Sequence, residues 1–156
     1  MIRALQEKDV DSTAAIWLDG NLTAHDFISA RYWTDNFEPV KEQLPLTEVY
    51  VYEDGRGVAG FVGLSGEHIE GIFVSGAARS HGIGKQLLDY VKGIKPRLTL
   101  NVYRKNESAV RFYRREGFDI RAGGLDEATG EEDYIMVWER KQTYRSEVTP
   151  KTIWRP

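Results

Sequence analysis

The chain has 156 residues, enough for one domain with a sizeable core. It has no cysteine, which excludes disulfides, thiolate metal sites and an acyl-cysteine intermediate. A net charge of −3 argues against a nucleic-acid partner, and no signal segment or apolar run approaching the ~18 residues of a spanning helix is visible, so a soluble, cytoplasmic protein without a membrane partner is expected.

"MIRAL" reads as a first strand. Asp9 to Asp19 reads as a helix with Val10, Ala14, Trp17 and Leu18 on one face, stopped by Gly20-Asn21. His25 to Phe37 reads as a second, unusually aromatic helix, and Pro39 and Pro45 bracket the connection after it. The period then changes from helical to alternating. Val49 and Val51 alternate with Tyr50 and Tyr52, "EDGRG" is a hairpin turn, and "VAGFVGL" and "HIEGIFV" are the next two strands.

A helix follows Gly82, with Ile83, Leu87, Leu88, Val91 and Ile94 inward and Pro96 as its end. Arg97 to Tyr103 is a strand. Asn106 to Gly117 is a helix with Asn106 as N-cap and Gly117 as the terminating glycine. "FDI" begins another strand, "DEATGEED" is a turn, and "YIMVWER" is a last strand. The order β-α-α-β-β-β-α-β-α-β-β describes an α+β domain, a mixed central sheet flanked by helices. It spans residues 1–140, and 141–156 form an aperiodic tail.

The run Arg79-Ser80-His81-Gly82-Ile83-Gly84 places two glycines at a strand-to-helix junction. The first amides of a helix have no internal partners and carry partial positive charge, so such a turn suits a phosphate. A P-loop fails, because its first glycine falls on Arg79 and its hydroxyl on Gln86. A dinucleotide fingerprint fails at Leu87.

A third pattern fits. Arg79-x-x-Gly82-x-Gly84 resembles the pyrophosphate loop of the GNAT superfamily of acetyl-CoA-dependent N-acetyltransferases. A second block, Asn106-x-x-Ala109-x-x-Phe112-Tyr113-x-x-x-Gly117-Phe118, is similar to another motif of that family. One helix and one strand separate the blocks, as in the family, and the likeness runs from Ile2 to Glu139.

The resemblance implies a GNAT fold, acetyl-CoA as acetyl donor, and transfer to a primary amine by direct attack in a ternary complex. The acceptor would be a protein lysine or N-terminal amine, or else a small metabolite or antibiotic. It implies that Arg79, Ser80, His81, Gly82, Ile83, Gly84 and Lys85 grip the pyrophosphate. Ile72, Phe73 and Val74 would run beside the pantetheine arm and acetyl group, with Asn106 and Ala109 also on the cofactor. Tyr113 would be the general acid, since a phenol is protonated at neutral pH and can protonate a departing thiolate.

Two residues compete for the role of base. Many relatives carry a Glu where this chain has Asn101, which cannot take a proton. Glu70 and His68 alternate along one strand and so share a face, and either could draw a proton. His25 either orients the acceptor or caps a helix. Asn101 and Tyr103 complete the expected acceptor set. His25, His68 and His81 have no metal-ligand spacing, so no metal is expected. The chain would be a monomer or homodimer. Two other readings stay open: a non-catalytic acyl-CoA-binding module, favoured by the missing Glu, and a nucleotide binder using the Gly82 turn.

Overall fold

Seven strands pair in the order β1-β2-β3-β4-β5-β7-β6 in the computed structural model, which describes residues 1–79 and 81–141. They are β1 (Ile2–Ala4), β2 (Glu48–Asp54), β3 (Gly57–Ser65), β4 (His68–Val74), β5 (Arg97–Tyr103), β6 (Asp119–Asp126) and β7 (Glu131–Glu139). Every neighbouring pair is antiparallel except β4–β5. The expected mixed sheet and its strands are all present. The tail beyond Lys141 lies outside the described residues.

The helices are α1 (Val10–Ala24), α2 (Ala30–Asp35), α3 (Phe37–Gln43), α4 (Ile83–Ile94) and α5 (Glu107–Arg115). One sheet face is covered by α4 and α5: Ile83, Leu87, Leu88, Val91 and Tyr113 pack on Val62, Leu64, Leu98, Leu100 and Val102. The other carries α1, whose Ala14 and Ile16 join Val49, Val51 and Phe61. The alternation of β5 therefore turns Leu98, Leu100 and Val102 to α4 and α5, and Thr99, Asn101 and Tyr103 to the α1 side.

Three expectations about the helices are corrected. Gly20-Asn21 do not stop α1, which runs on to Ala24. Gly20 is there because a Cβ would lie 2.7 Å from the Phe73 ring, and a Cβ on Gly71 would lie 2.5 Å from it. The two glycines let Phe73 wedge between α1 and β4 and stack on Phe61 at 5.5 Å between ring centroids.

The second correction concerns the aromatic helix. His25 is the C-cap of α1, and a new helix begins only after Ser29, whose Oγ accepts from Arg31 N. A break at Asn36 then separates α2 from α3. The expected connection between the prolines is thus partly helical. Pro39 sits in the first turn of α3, where a missing N–H leaves no bond unmade. Third, Ile94 is 46% exposed rather than inward. It ends α4, where Lys95 N closes on Val91 O and the chain turns to β5. The expected caps of α5 are realised: Asn106 accepts from Ala109 N, and Gly117 adopts φ +96.

Candidate active site

Strands β4 and β5 pair only at His68↔Thr99 and Ile69↔Leu100. Beyond that point they part. Where two strands part, the groups that would have formed the ladder are left without partners. A cleft of about 1090 Å³ fills the gap. It is lined from β4 by Glu70 to Val74, from β5 by Asn101 to Tyr103, from α1 by Trp17, Gly20 and Asn21, and from α5 by Ala109 and Tyr113. It is therefore reached from both faces of the sheet.

A bulge explains which carboxylate joins it. Gly63 pairs with Gly71 while Leu64 pairs with Ile69, so Glu70 is an extra residue on β4. The bulge breaks the simple alternation on which the shared face of His68 and Glu70 was expected. Glu70 lines the cleft. His68 does not: its Nδ1 lies 2.7 Å from Thr99 Oγ1, beside the paired end of the strands. The structure therefore brings Glu70 to the site and leaves His68 out.

Between β4 and α4 the chain turns at Gly82, which has φ +75 and ψ 12, a left-handed conformation that favours glycine. No side chain caps α4, and its first internal bond runs from Gln86 N to Gly82 O. The amides of Ile83, Gly84 and Lys85 are thus free of helical partners. Nothing lies within 4 Å of where a Gly82 Cβ would be, so the turn leaves open space in front of these amides. Arg79 lines the cleft and reaches Asp19 on α1 at 3.8 Å. His81 is exposed, Ile83 is buried in the core, and the Lys85 ammonium is held by Asp89 and Glu116. Ile83 and Lys85 can therefore offer a phosphate their backbone amides rather than their side chains. Ser80 lies outside the described residues.

Tyr113 is 9% exposed and lines the cleft. Burial raises its phenol well above the ordinary value of 10, and no hydrogen bond contributes to that shift. Among the described residues its hydroxyl has no partner, so its proton is uncommitted. Its neighbour Phe112 packs against the same core and lies 3.9 Å from where a Gly84 Cβ would be.

His25 ties the two walls together. Asn21 Nδ2 donates to Trp17 O, which leaves Asn21 Oδ1 to accept from His25 Nδ1 at 2.9 Å. His25 Nε2 then accepts from Asn106 Nδ2 at 3.1 Å, and Asn106 Oδ1 accepts from Ala109 N. The chain of bonds runs from α1 to the start of α5. Burial lowers the His25 pKa from 6.5 to about 4, so the ring is neutral at pH 7. With both nitrogens engaged, it is a strut and not a base.

Around it stands an aromatic wall. His25 lies 4.9 Å from the Tyr103 ring and 5.5 Å from Trp33, and Trp17 and Tyr32 pack edge-on to Trp33. Burial and a hydrogen bond to Asp126 raise the Tyr103 phenol and keep it protonated. Two carboxylates of the cleft had no signal in the sequence: Asp126 and Asp133, both on the last two strands. Asp133 accepts from Asn101 Nδ2 at 3.2 Å. Among the described residues no group of His, Cys, Asp or Glu is arranged to hold a metal ion, and no helix is long and apolar enough to cross a membrane.

Comparison with known proteins agrees with this geometry. Residues 45–120 match the family model described as "Acetyltransferase (GNAT) domain". Two proteins of Escherichia coli (strain K12) are each 34% identical to this chain. One is the peptidyl-lysine N-acetyltransferase YiaC, over 92% of this chain and 99% of its own. The other is the peptidyl-lysine N-acetyltransferase YjaB, over 76% and 82%. The solution structure of apo YjaB from Escherichia coli superposes with a TM-score of 0.80 at 29% identity, covering 90% of this chain and 98% of that one. With that identity over almost its whole length, the chain belongs to the GNAT family and is an N-acetyltransferase whose acetyl donor is acetyl-CoA.

Proposed function

We propose that this chain acetylates the side-chain amine of protein lysines in the cytoplasm, by direct attack in a ternary complex. The observation that carries the mechanism is the parting of β4 and β5, with the Tyr113 hydroxyl, which has no partner among the described residues, lining the cleft between them. The free amides before Gln86, with Arg79 and His81 nearby, would hold the pyrophosphate. The arm would lie along Ile72 to Val74, with the second Nδ2 hydrogen of Asn106 available to it.

The chemistry follows from the residues in place. A β4 amide facing the thioester oxygen stabilises the charge that develops there, an effect worth roughly 2.7–4 kcal/mol in comparable oxyanion sites. Glu70, open to the cleft at the bulge, draws a proton from the acceptor's ammonium through solvent. The neutral nitrogen attacks the carbonyl carbon and forms the C–N bond. The C–S bond breaks, and Tyr113 gives its proton to the departing thiolate. The nitrogen loses its second proton to solvent, Glu70 releases its proton there, and Tyr113 recovers one.

Support for a lysine acceptor comes from the wall of Trp17, Trp33, Tyr32 and Tyr103. Flat rings suit an aliphatic stem and favour the cation at its end. The two relatives named for peptidyl-lysine acetylation point the same way. The test is thiol release from acetyl-CoA across a panel of one-lysine peptides, peptides with only a free N-terminus, and small amines. Turnover with the lysine peptides first is expected. Turnover with small amines alone would move the acceptor to a metabolite or antibiotic.

A further inference from the structure

Asp133 is the third residue of β7, opposite Tyr103 on β5 and Gly124 on β6. It is only 7% exposed and it lines the cleft. A carboxylate removed from water needs compensation, and buried charges are normally paired. Here the pairing is half made. Oδ2 accepts from Asn101 Nδ2 at 3.2 Å, while among the described residues Oδ1 has no hydrogen bond. Among the described residues no Lys or Arg forms an ion pair with it, although Arg104 lies on the same stretch of sheet and donates to its backbone oxygen. Asp126, the other carboxylate at this end, is satisfied by Tyr103 and Ala128 N.

Space has been kept for the open oxygen. A Cβ on Gly124 would lie 2.9 Å from Asp133 Oδ1. Asn101 and Tyr103 present their side chains on the face reached past the aromatic wall, the α1 side of the sheet. Asn101 cannot itself take a positive charge, but its amide fixes the carboxylate one strand over.

Resting on the lysine-acceptor reading above, we propose that Asp133, braced by Asn101 and given room by Gly124, is the residue that receives the acceptor's ammonium group. It acts by binding and placing the cation. Proton removal stays with Glu70. The ligand class follows: an unbranched primary amine that is charged at neutral pH, such as the lysine side chain.

The test is steady-state kinetics with a one-lysine peptide whose N-terminus is blocked. A hydrogen bond to a charged group is worth enough that Asp133→Asn should raise the peptide KM about 10- to 100-fold. The kcat should change less than about 3-fold, and the KM for acetyl-CoA and the thermal midpoint should hold. The KM defect should shrink as pH approaches the amine's pKa of about 10.4, because a neutral amine gains nothing from the anchor. A purely structural role would give no such pH dependence. Gly124→Ala should raise the KM in the same sense without removing charge. Adding Asn101→Asp to Asp133→Asn, which exchanges amide and carboxylate, should recover most of the loss. An unchanged KM in folded Asp133→Asn, or a defect equal at all pH values, overturns the proposal while leaving the lysine reading intact. A wild-type protein that acetylates no lysine peptide overturns both.

Discussion

Acid should loosen the two walls of the cleft through one imidazole. His25 accepts a hydrogen bond from Asn106 at Nε2, which it can do only while neutral. Burial lowers its pKa from 6.5 to about 4. The folded pKa lies below the unfolded one, so as pH falls the unfolded chain takes up the proton first. Stability from this group is complete above about pH 6.5 and is lost progressively down to about pH 4. Proton linkage gives about 2.5 kcal/mol of loss between pH 7.5 and 4.5. The ring is half-buried, and solvent screening trims that to about 2 kcal/mol. The assay is urea unfolding at both pH values for wild type and His25→Gln. Other groups also titrate here: the carboxyls of Asp9, Glu48 and Glu53 are held low by Arg3, Tyr50 and Lys95. The difference between the two proteins isolates His25. Wild type should lose about 2 kcal/mol more than the variant on acidification. Equal losses would refute the strut.

Three further outcomes are expected. Tyr113→Phe should lower kcat about 10²- to 10⁴-fold, the range for general acid catalysis, with acetyl-CoA affinity by calorimetry nearly unchanged. Gly82→Ala forces a left-handed alanine, costing about 1 kcal/mol, and should weaken acetyl-CoA binding more than it lowers the thermal midpoint. Gly20→Ala puts a Cβ 2.7 Å from Phe73 and should cost about 1–3 kcal/mol in urea unfolding, with Phe73→Leu in the same chain relieving part of it.

The legible parts of this protein were those written in short-range pattern. The glycine turn at Gly82 and the cap at Asn106 each sit within one junction or one helix, and local geometry dictates their residues, whereas Tyr113 stood out only by the likeness of its block to a family motif. What was not legible depends on partners distant in sequence. Gly20 reads as a helix stop until Phe73, more than fifty residues on, is seen to occupy the space of its missing side chain. His68 and Glu70 share a face by alternation until the bulge opposite Gly63 adds a residue. Asn101 reads as a lost carboxylate until the sheet sets Asp133 beside it, since pairing β5 with β7 is a tertiary fact that no motif encodes. Ser29 could have been recognised as the start of a helix, being a capping residue ahead of Ala30.

The most direct measurement is mass spectrometry of a one-lysine, N-blocked peptide after incubation with the protein and acetyl-CoA, alongside Tyr113→Phe. The account predicts one acetyl group on the lysine side-chain nitrogen, dependent on acetyl-CoA and nearly abolished in the variant. A peptide returned unmodified by folded protein that binds acetyl-CoA, or equal acetylation by both proteins, would contradict it.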